Sequence, residues 1–203
     1  SYFRDNELIA ARSLDRGATW SHETVAKDHA RFSGNFPLTF ATTDGAIYLA
    51  WIEHPSDTKN TLAYSVSRDN ATTWSPKRVV TTGTSEIRMP WGVGGSNGRI
   101  AFSWYATPSG GTTTYERVAI LADADTAAPD IIEAQVGRDP VAKTRPCEGG
   151  ESNCSSWAGD LQQCTIDAQG NVLIAYNREP ATGQSSSNIF VARETSGIKL
   201  SAK

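Results

Sequence analysis

Cysteine and histidine are scarce in this chain of 203 residues, with three of each. Three cysteines exclude a fold built on disulfides. His22, His29 and His54 all lie far upstream of Cys147, Cys154 and Cys164, so no zinc cluster is read and no metal is expected. No run of 18 apolar residues occurs, and no membrane span is implied. Basic charge is not in surplus: 19 Lys and Arg stand against 22 Asp and Glu, a net charge of −3. With a pI of about 5.6 the chain has no electrostatic footprint for nucleic acid. No P-loop, dinucleotide fingerprint, G-x-S-x-G elbow or zinc motif is present, and no cofactor is expected. No amphipathic helix is evident either. The chain opens abruptly at Ser1 with no visible signal peptide, as a processed or trimmed product would.

What is present is a repeat. Ser13-Leu14-Asp15-Arg16-Gly17-Ala18-Thr19-Trp20 returns 54 residues later as Ser67-Arg68-Asp69-Asn70-Ala71-Thr72-Thr73-Trp74. Both fit S-x-D-x-[G/N]-x-T-W, with Ala71 loosening the fifth position. Ser and Asp side chains bond backbone a few residues on and hold a tight turn. Gly17, or Asn70 one place earlier in its copy, can take the positive φ that such a turn demands. The Trp can cover it. These residues satisfy one another, so Ser13, Asp15, Gly17, Trp20, Ser67, Asp69 and Trp74 read as structural.

Around these turns the chain reads as short strands. Asn6–Arg12 runs into the first turn and His22–Lys27 leaves it. Phe36–Ala41 and Ala46–Trp51 flank Asp44-Gly45, a hairpin signal. Asn60–Ser67 and Lys77–Thr81 complete a four-strand unit. The unit recurs: Asn97-Gly98 precedes Ile100-Ala101-Phe102-Ser103-Trp104, and Gln169-Gly170 precedes Val172-Leu173-Ile174-Ala175-Tyr176. Trp51, Trp104 and Tyr176 share one repeat position and read as packing residues. Asp125 falls where a third turn motif belongs, without its Trp. Asp123, Asp125 and Asp130 lack the glycine and glutamate of a dedicated calcium loop. With 17 Gly and 9 Pro, regular strands at this period predict an all-β repeat fold, a β-propeller of four-stranded antiparallel blades.

The two turn motifs resemble the Asp box, or BNR repeat, of sialidase-like β-propellers. The resemblance implies that the boxes sit between the third and fourth strands of a blade, on the face away from the site. Ligands would then meet the inter-blade loops and the loops between strands two and three. Polar residues there include His54, Glu86, Tyr105 and Glu179. The candidate ligand-binding residues are Arg31, Glu53, Arg88, Arg145, Asp160 and Arg178. Arg88-Met89-Pro90 is similar to the R-I-P motif that carries an arginine in the family, and Gly159-Asp160-Leu161-Gln162 to its G-D-Y-x stretch. The family clamps a carboxylate with arginines, which suits the guanidinium fork, and uses a Tyr nucleophile. No complete catalytic set can be assembled here. The resemblance therefore implies a secreted or cell-surface module that binds a carbohydrate or protein ligand. The alternative is an exo-sialidase-type glycoside hydrolase whose catalytic residues lie partly outside this chain.

The units divide the single domain into a half-blade at 1–30, blades at 35–82, 86–135 and 158–203, and an insertion at 137–157. That makes a partial ring of about three and a half blades, to be completed by the remainder of a propeller or by another chain. The strand Asn6–Arg12 is expected to pair with strands that this chain lacks. Cys147 and Cys154 are expected to bond to each other, leaving Cys164 a buried free thiol; the competing pairing is Cys154 with Cys164.

Overall fold

The computed structural model describes residues 1–27, 36–56, 59–83, 85–144, 162–179 and 188–201. They form fourteen strands in four antiparallel sheets. The first sheet is β1 (Tyr2–Arg4), β2 (Glu7–Arg12) and β3 (Ser21–Ala26). The second is β4 (Leu38–Ala41), β5 (Ile47–Ser56), β6 (Lys59–Ser67) and β7 (Arg78–Gly83). The third is β8 (Glu86–Gly94), β9 (Ile100–Thr107), β10 (Tyr115–Ala122) and β11 (Asp130–Gln135). The fourth is β12 (Gln163–Ile166), β13 (Val172–Arg178) and β14 (Asn188–Arg193). Each sheet is a meander in chain order. The fold is all-β, with the architecture of a partial β-propeller.

Alternation decides the packing, because successive side chains of a strand face opposite ways. Leu8, Ala10 and Ala26 meet Leu49, Trp51 and Ala63, which joins the first sheet to the second. Tyr48, Tyr64, Ile52 and Leu62 meet Ile87, Phe102 and Trp104, which joins the second to the third. Ala101, Tyr105 and Ile120 meet Cys164, Ile174 and Tyr176, which joins the third to the fourth. Trp51, Trp104 and Tyr176 are buried, each in one of these junctions. Among the described residues no apolar cluster joins the first sheet to the fourth, so the sheets form an open arc.

One expectation fails here. The strand at Asn6–Arg12 does not await partners from elsewhere, because β2 is the middle strand of its sheet and pairs with β1 and β3. The leading unit therefore has three strands, not two. Residues 2–4 carry too short a pattern to register as a strand, and pairing with β2 orders them.

The repeated turns satisfy themselves locally. Asp69 accepts hydrogen bonds from Ser67 Oγ at 2.8 Å, Thr73 N at 2.9 Å and Thr73 Oγ1 at 2.7 Å. Asp15 accepts from Ser13 Oγ, Thr19 N and Thr19 Oγ1 at 2.8, 2.8 and 2.6 Å. Ser13 and Ser67 accept in turn from Gly17 N and Ala71 N. Trp20 donates its indole N–H to Gly17 O at 3.1 Å but stays mostly exposed, while Trp74 packs against the first junction. Thr19's hydroxyl above all, then its N–H, pulls the Asp15 carboxyl down to about 2. Asp125 does something else: it receives Arg68 of the second sheet, with Nε 3.0 Å from its carboxylate, and so ties two sheets together. The turns also differ from the sequence reading in one respect. Positive φ extends over two residues in each, Arg16 and Gly17 in one and Asn70 and Ala71 in the other.

Ala71 holds φ 59 with a Cβ, where glycine stands in the first copy. Left-handed backbone costs a non-glycine residue roughly 1–2 kcal/mol, partly offset by the greater chain entropy that glycine loses on folding. Ala71→Gly should therefore raise stability by about 0.5–1 kcal/mol. Urea denaturation tests this, and a lower midpoint at unchanged slope would contradict it.

Candidate functional site

Meander topology places the turns with Asp15 and Asp69 at one end of the sheets. The paired ends of β5 and β6, of β9 and β10 and of β13 and β14 lie at the other end. Three strands of the third sheet carry a polar row there. Arg88 on β8 lies opposite Tyr105 on β9, which lies opposite Glu116 on β10. Directly paired residues share a face, and this face turns toward the fourth sheet. Just past Arg88 the register slips and Met89 takes φ 48, a bulge in the innermost strand.

Gln162, immediately before β12, closes the row from the neighbouring sheet. Its Nε2 donates to Ser103 Oγ and to Glu116 Oε1, both at 2.9 Å. Asn177 N donates to Tyr105 Oη at 2.9 Å. At the rim, Arg88 donates Nη2 to Glu86 Oε1 at 2.8 Å. Arg88 is 4% exposed and Glu116 fully buried, whereas the Glu86 side chain is 32% exposed. The row is thus buried, and the acidic side chain beside Arg88 reaches solvent.

Burial sets the charges. Burial of Glu116 pushes its carboxyl well above the usual carboxylate range. Burial raises the Tyr105 hydroxyl, and the Glu116 charge adds to that. Tyr176 is raised by burial against the opposing Arg178 charge. Cys164 is pushed up to about 12 by burial. Both phenols and the thiol are neutral near pH 7, so none is an ionised nucleophile. The row offers hydrogen bonds and one guanidinium charge.

Among the described candidates, Glu53 and Arg88 are sent into different junctions. Glu53 lies on the Trp51 side of β5, in the junction of the first two sheets, where it pairs with Lys77 and accepts from Trp51 Nε1 at 3.4 Å. Arg88 lies in the junction of the last two. Arg178 donates to Pro140 O at 3.1 Å, and its guanidinium carbon stands 4.8 Å from the centroid of Phe190, so it clamps local structure. Glu179 caps Lys143 N and the Thr144 hydroxyl at 2.7 and 2.9 Å. Arg31, Arg145, Asp160, Cys147 and Cys154 lie outside the described residues. Cys164 is a buried free thiol, which removes the competing pairing with Cys154.

Glu116 escaped the sequence reading, and Gln162 entered it only as the last residue of the Gly159–Gln162 stretch. A signal existed for Glu116: it stands at i relative to Val118 at i+2 and Ile120 at i+4, a charge in register with an apolar stripe that packs inward. The flanking Arg117 hid it by making the start of β10 look uniformly polar.

No family model and no curated protein matches the chain. Solved structures do. An α-L-arabinanase of Penicillium chrysogenum complexed with arabinobiose matches with a TM-score of 0.56 and 14% identity, over 90% of this chain and 52% of its own. The GH93 α-L-arabinofuranosidase of Fusarium graminearum, also with arabinobiose, matches at 0.52 and 12%, over 94% and 55%. A Hadza microbial sialidase matches at 0.48 and 13%, over 70% of this chain and 32% of its own, and carries no argument. The chain spans about half the length of the first two. At these identities the likeness speaks for the fold alone.

Proposed function

We propose that this chain is part of a sialidase-like Asp-box propeller of a secreted or cell-surface protein, completed by the remainder of a propeller or by another chain. In this reading it binds a carbohydrate through the loop end, and the two self-bonded turns at the far end are structural supports. The row Arg88–Tyr105–Glu116 carries the reading. It is a buried polar row set into an otherwise apolar junction, at the end opposite the two turns. Such a row costs stability unless each member is held. Arg88 fixes the partly exposed Glu86, and carboxylates are good acceptors for sugar hydroxyls. That two solved propellers of this shape hold arabinobiose supports a carbohydrate as the ligand class. A protein ligand would use the same end.

A glycoside hydrolase of the exo-sialidase type is the second reading, favoured by a tyrosine beside a carboxyl and an arginine. The complete burial of Tyr105 stands against it, because the hydroxyl is closed off from a substrate.

A glycan array read with the wild-type protein, Glu86→Gln and Arg88→Lys, alongside fluorogenic sialoside and arabinoside assays, separates the two. Binding should be saturable, with no turnover, and should weaken about tenfold in either variant, the usual effect of one lost charge-assisted hydrogen bond. Turnover that Arg88→Lys abolishes would replace the binding reading with the hydrolase.

A further inference from the structure

We propose that Asn70 is an N-glycosylation site, its side-chain amide taking an oligosaccharide from a polyprenyl-diphosphate carrier. The proposal rests on the secreted or cell-surface part of the proposed function. Asn70-Ala71-Thr72 has the N-x-[S/T] form that such a transfer requires, with no proline in the middle. It fills the fourth to sixth positions of the second turn motif. The turn itself does not call for Asn and Thr there, because the first copy closes the same turn with Arg16 and Ala18.

The geometry leaves the acceptor free. An asparagine in a turn ordinarily bonds nearby backbone with its side chain. Here the backbone donors are already taken: Asp69 Oδ1 accepts from Thr72 N and Thr73 N, and Ser67 Oγ accepts from Ala71 N. The Asn70 side chain is exposed, and the hydrogen bond at this residue goes to its main-chain carbonyl, from Arg12 Nη1 at 3.3 Å. Thr72 is exposed as well. The sheets on both sides of the turn are in place. Arg12 of the first sheet reaches it, and from it Arg68 reaches Asp125, which follows the third strand of the third sheet. The exposure of Asn70 therefore belongs to the middle of the arc and owes nothing to where the chain begins or ends. A glycan here stands at the end opposite Arg88 and leaves the polar row clear.

In the transfer Asn70 Nδ2 bonds the anomeric carbon of the oligosaccharide and gives one proton to a base of the transferase. The bond from that carbon to the diphosphate oxygen breaks, and the diphosphate leaves on its lipid. The full chain, secreted from a yeast host behind a cleaved signal peptide, provides the test. Its peptides are read by mass spectrometry before and after peptide-N-glycosidase. Asn70 should carry glycan and become Asp on release. Thr72→Ala should abolish the modification, whereas Thr72→Ser, which keeps the acceptor pattern, should retain it. A secreted, folded chain with Asn70 bare overturns the proposal, as does modification confined to Asn153 of Asn153-Cys154-Ser155. Failure of the secreted reading shows differently: the chain recovered from cells of its source would be cytosolic, whatever the yeast product carries, and the proposal would fall with it.

Discussion

Glu116→Gln should make the protein more stable than wild type at pH 8 and remove most of its loss of stability between pH 5 and pH 8. The Glu116 carboxyl is fully buried and accepts from Gln162, and burial holds its pKa well above the usual carboxylate range. In the unfolded chain the same group titrates near its ordinary value of about 4.3. Above that value the unfolded state releases the proton while the folded state keeps it. Stability is therefore complete below the unfolded pKa and falls as pH rises toward the folded one, at about 1.4 kcal/mol per pH unit. The groups facing Glu116 do not interfere in this range. Gln162 and Ser103 do not titrate, and Tyr105 and Cys164 are themselves pushed upward. Glutamine keeps the acceptor for Gln162 and carries no proton to lose. Urea midpoints at pH 5, 6, 7 and 8 check this, and parallel curves for the two proteins would refute it.

Trp104→Ala should cost about 3–5 kcal/mol, a large share of the 5–15 kcal/mol that holds a typical domain. Trp104 is 1% exposed and fills the junction of the second and third sheets beside Ile52, Leu62 and Ile87. Neither sheet can relax into the space, because Gly94 lies so close to Ala41 that a Cβ there would stand 2.2 Å from the Ala41 carbonyl oxygen. The junction is rigid on its inner side, and a cavity would stay open. Trp20→Ala removes the same atoms from an exposed turn and should cost far less. The comparison of the two by chemical denaturation is decisive: equal losses would show that Trp104 is not the packing centre of the junction.

Much of the architecture was legible because its causes are local. The carboxylates of Asp15 and Asp69 bond groups no more than four residues away. Asp44-Gly45, Asn97-Gly98 and Gln169-Gly170 set hairpins through one backbone conformation each, with Gly45, Gly98 and Gly170 all at positive φ. Alternation told Trp51 and Trp104 to face inward. The open arc followed from counting units. Where local pattern was weak, as at Tyr2–Arg4, the strand went unseen.

The site was legible only in part. Arg88 was found through a short motif, and Glu86 and Tyr105 as polar residues of the same end, but Glu116 was not. The Glu116–Gln162 bond joins residues 46 apart and the Arg68–Asp125 pair residues 57 apart. Glu53 and Arg88 stand at one end of the sheets, yet strand alternation sends them into different junctions.

By itself the sequence determined that this is an all-β chain of repeated meanders, with self-satisfied turns at one end and apolar stripes for stacking. Those are short-range decisions, made by side-chain bonds across a few residues and by the two-residue period of a strand. Only the tertiary structure decided that Glu116 is buried with its carboxyl pushed upward and that Gly94 must lack a side chain. Each depends on which sheet comes to lie against which face. That contact is made between segments far apart in the chain, after loop closure, and no local pattern encodes it.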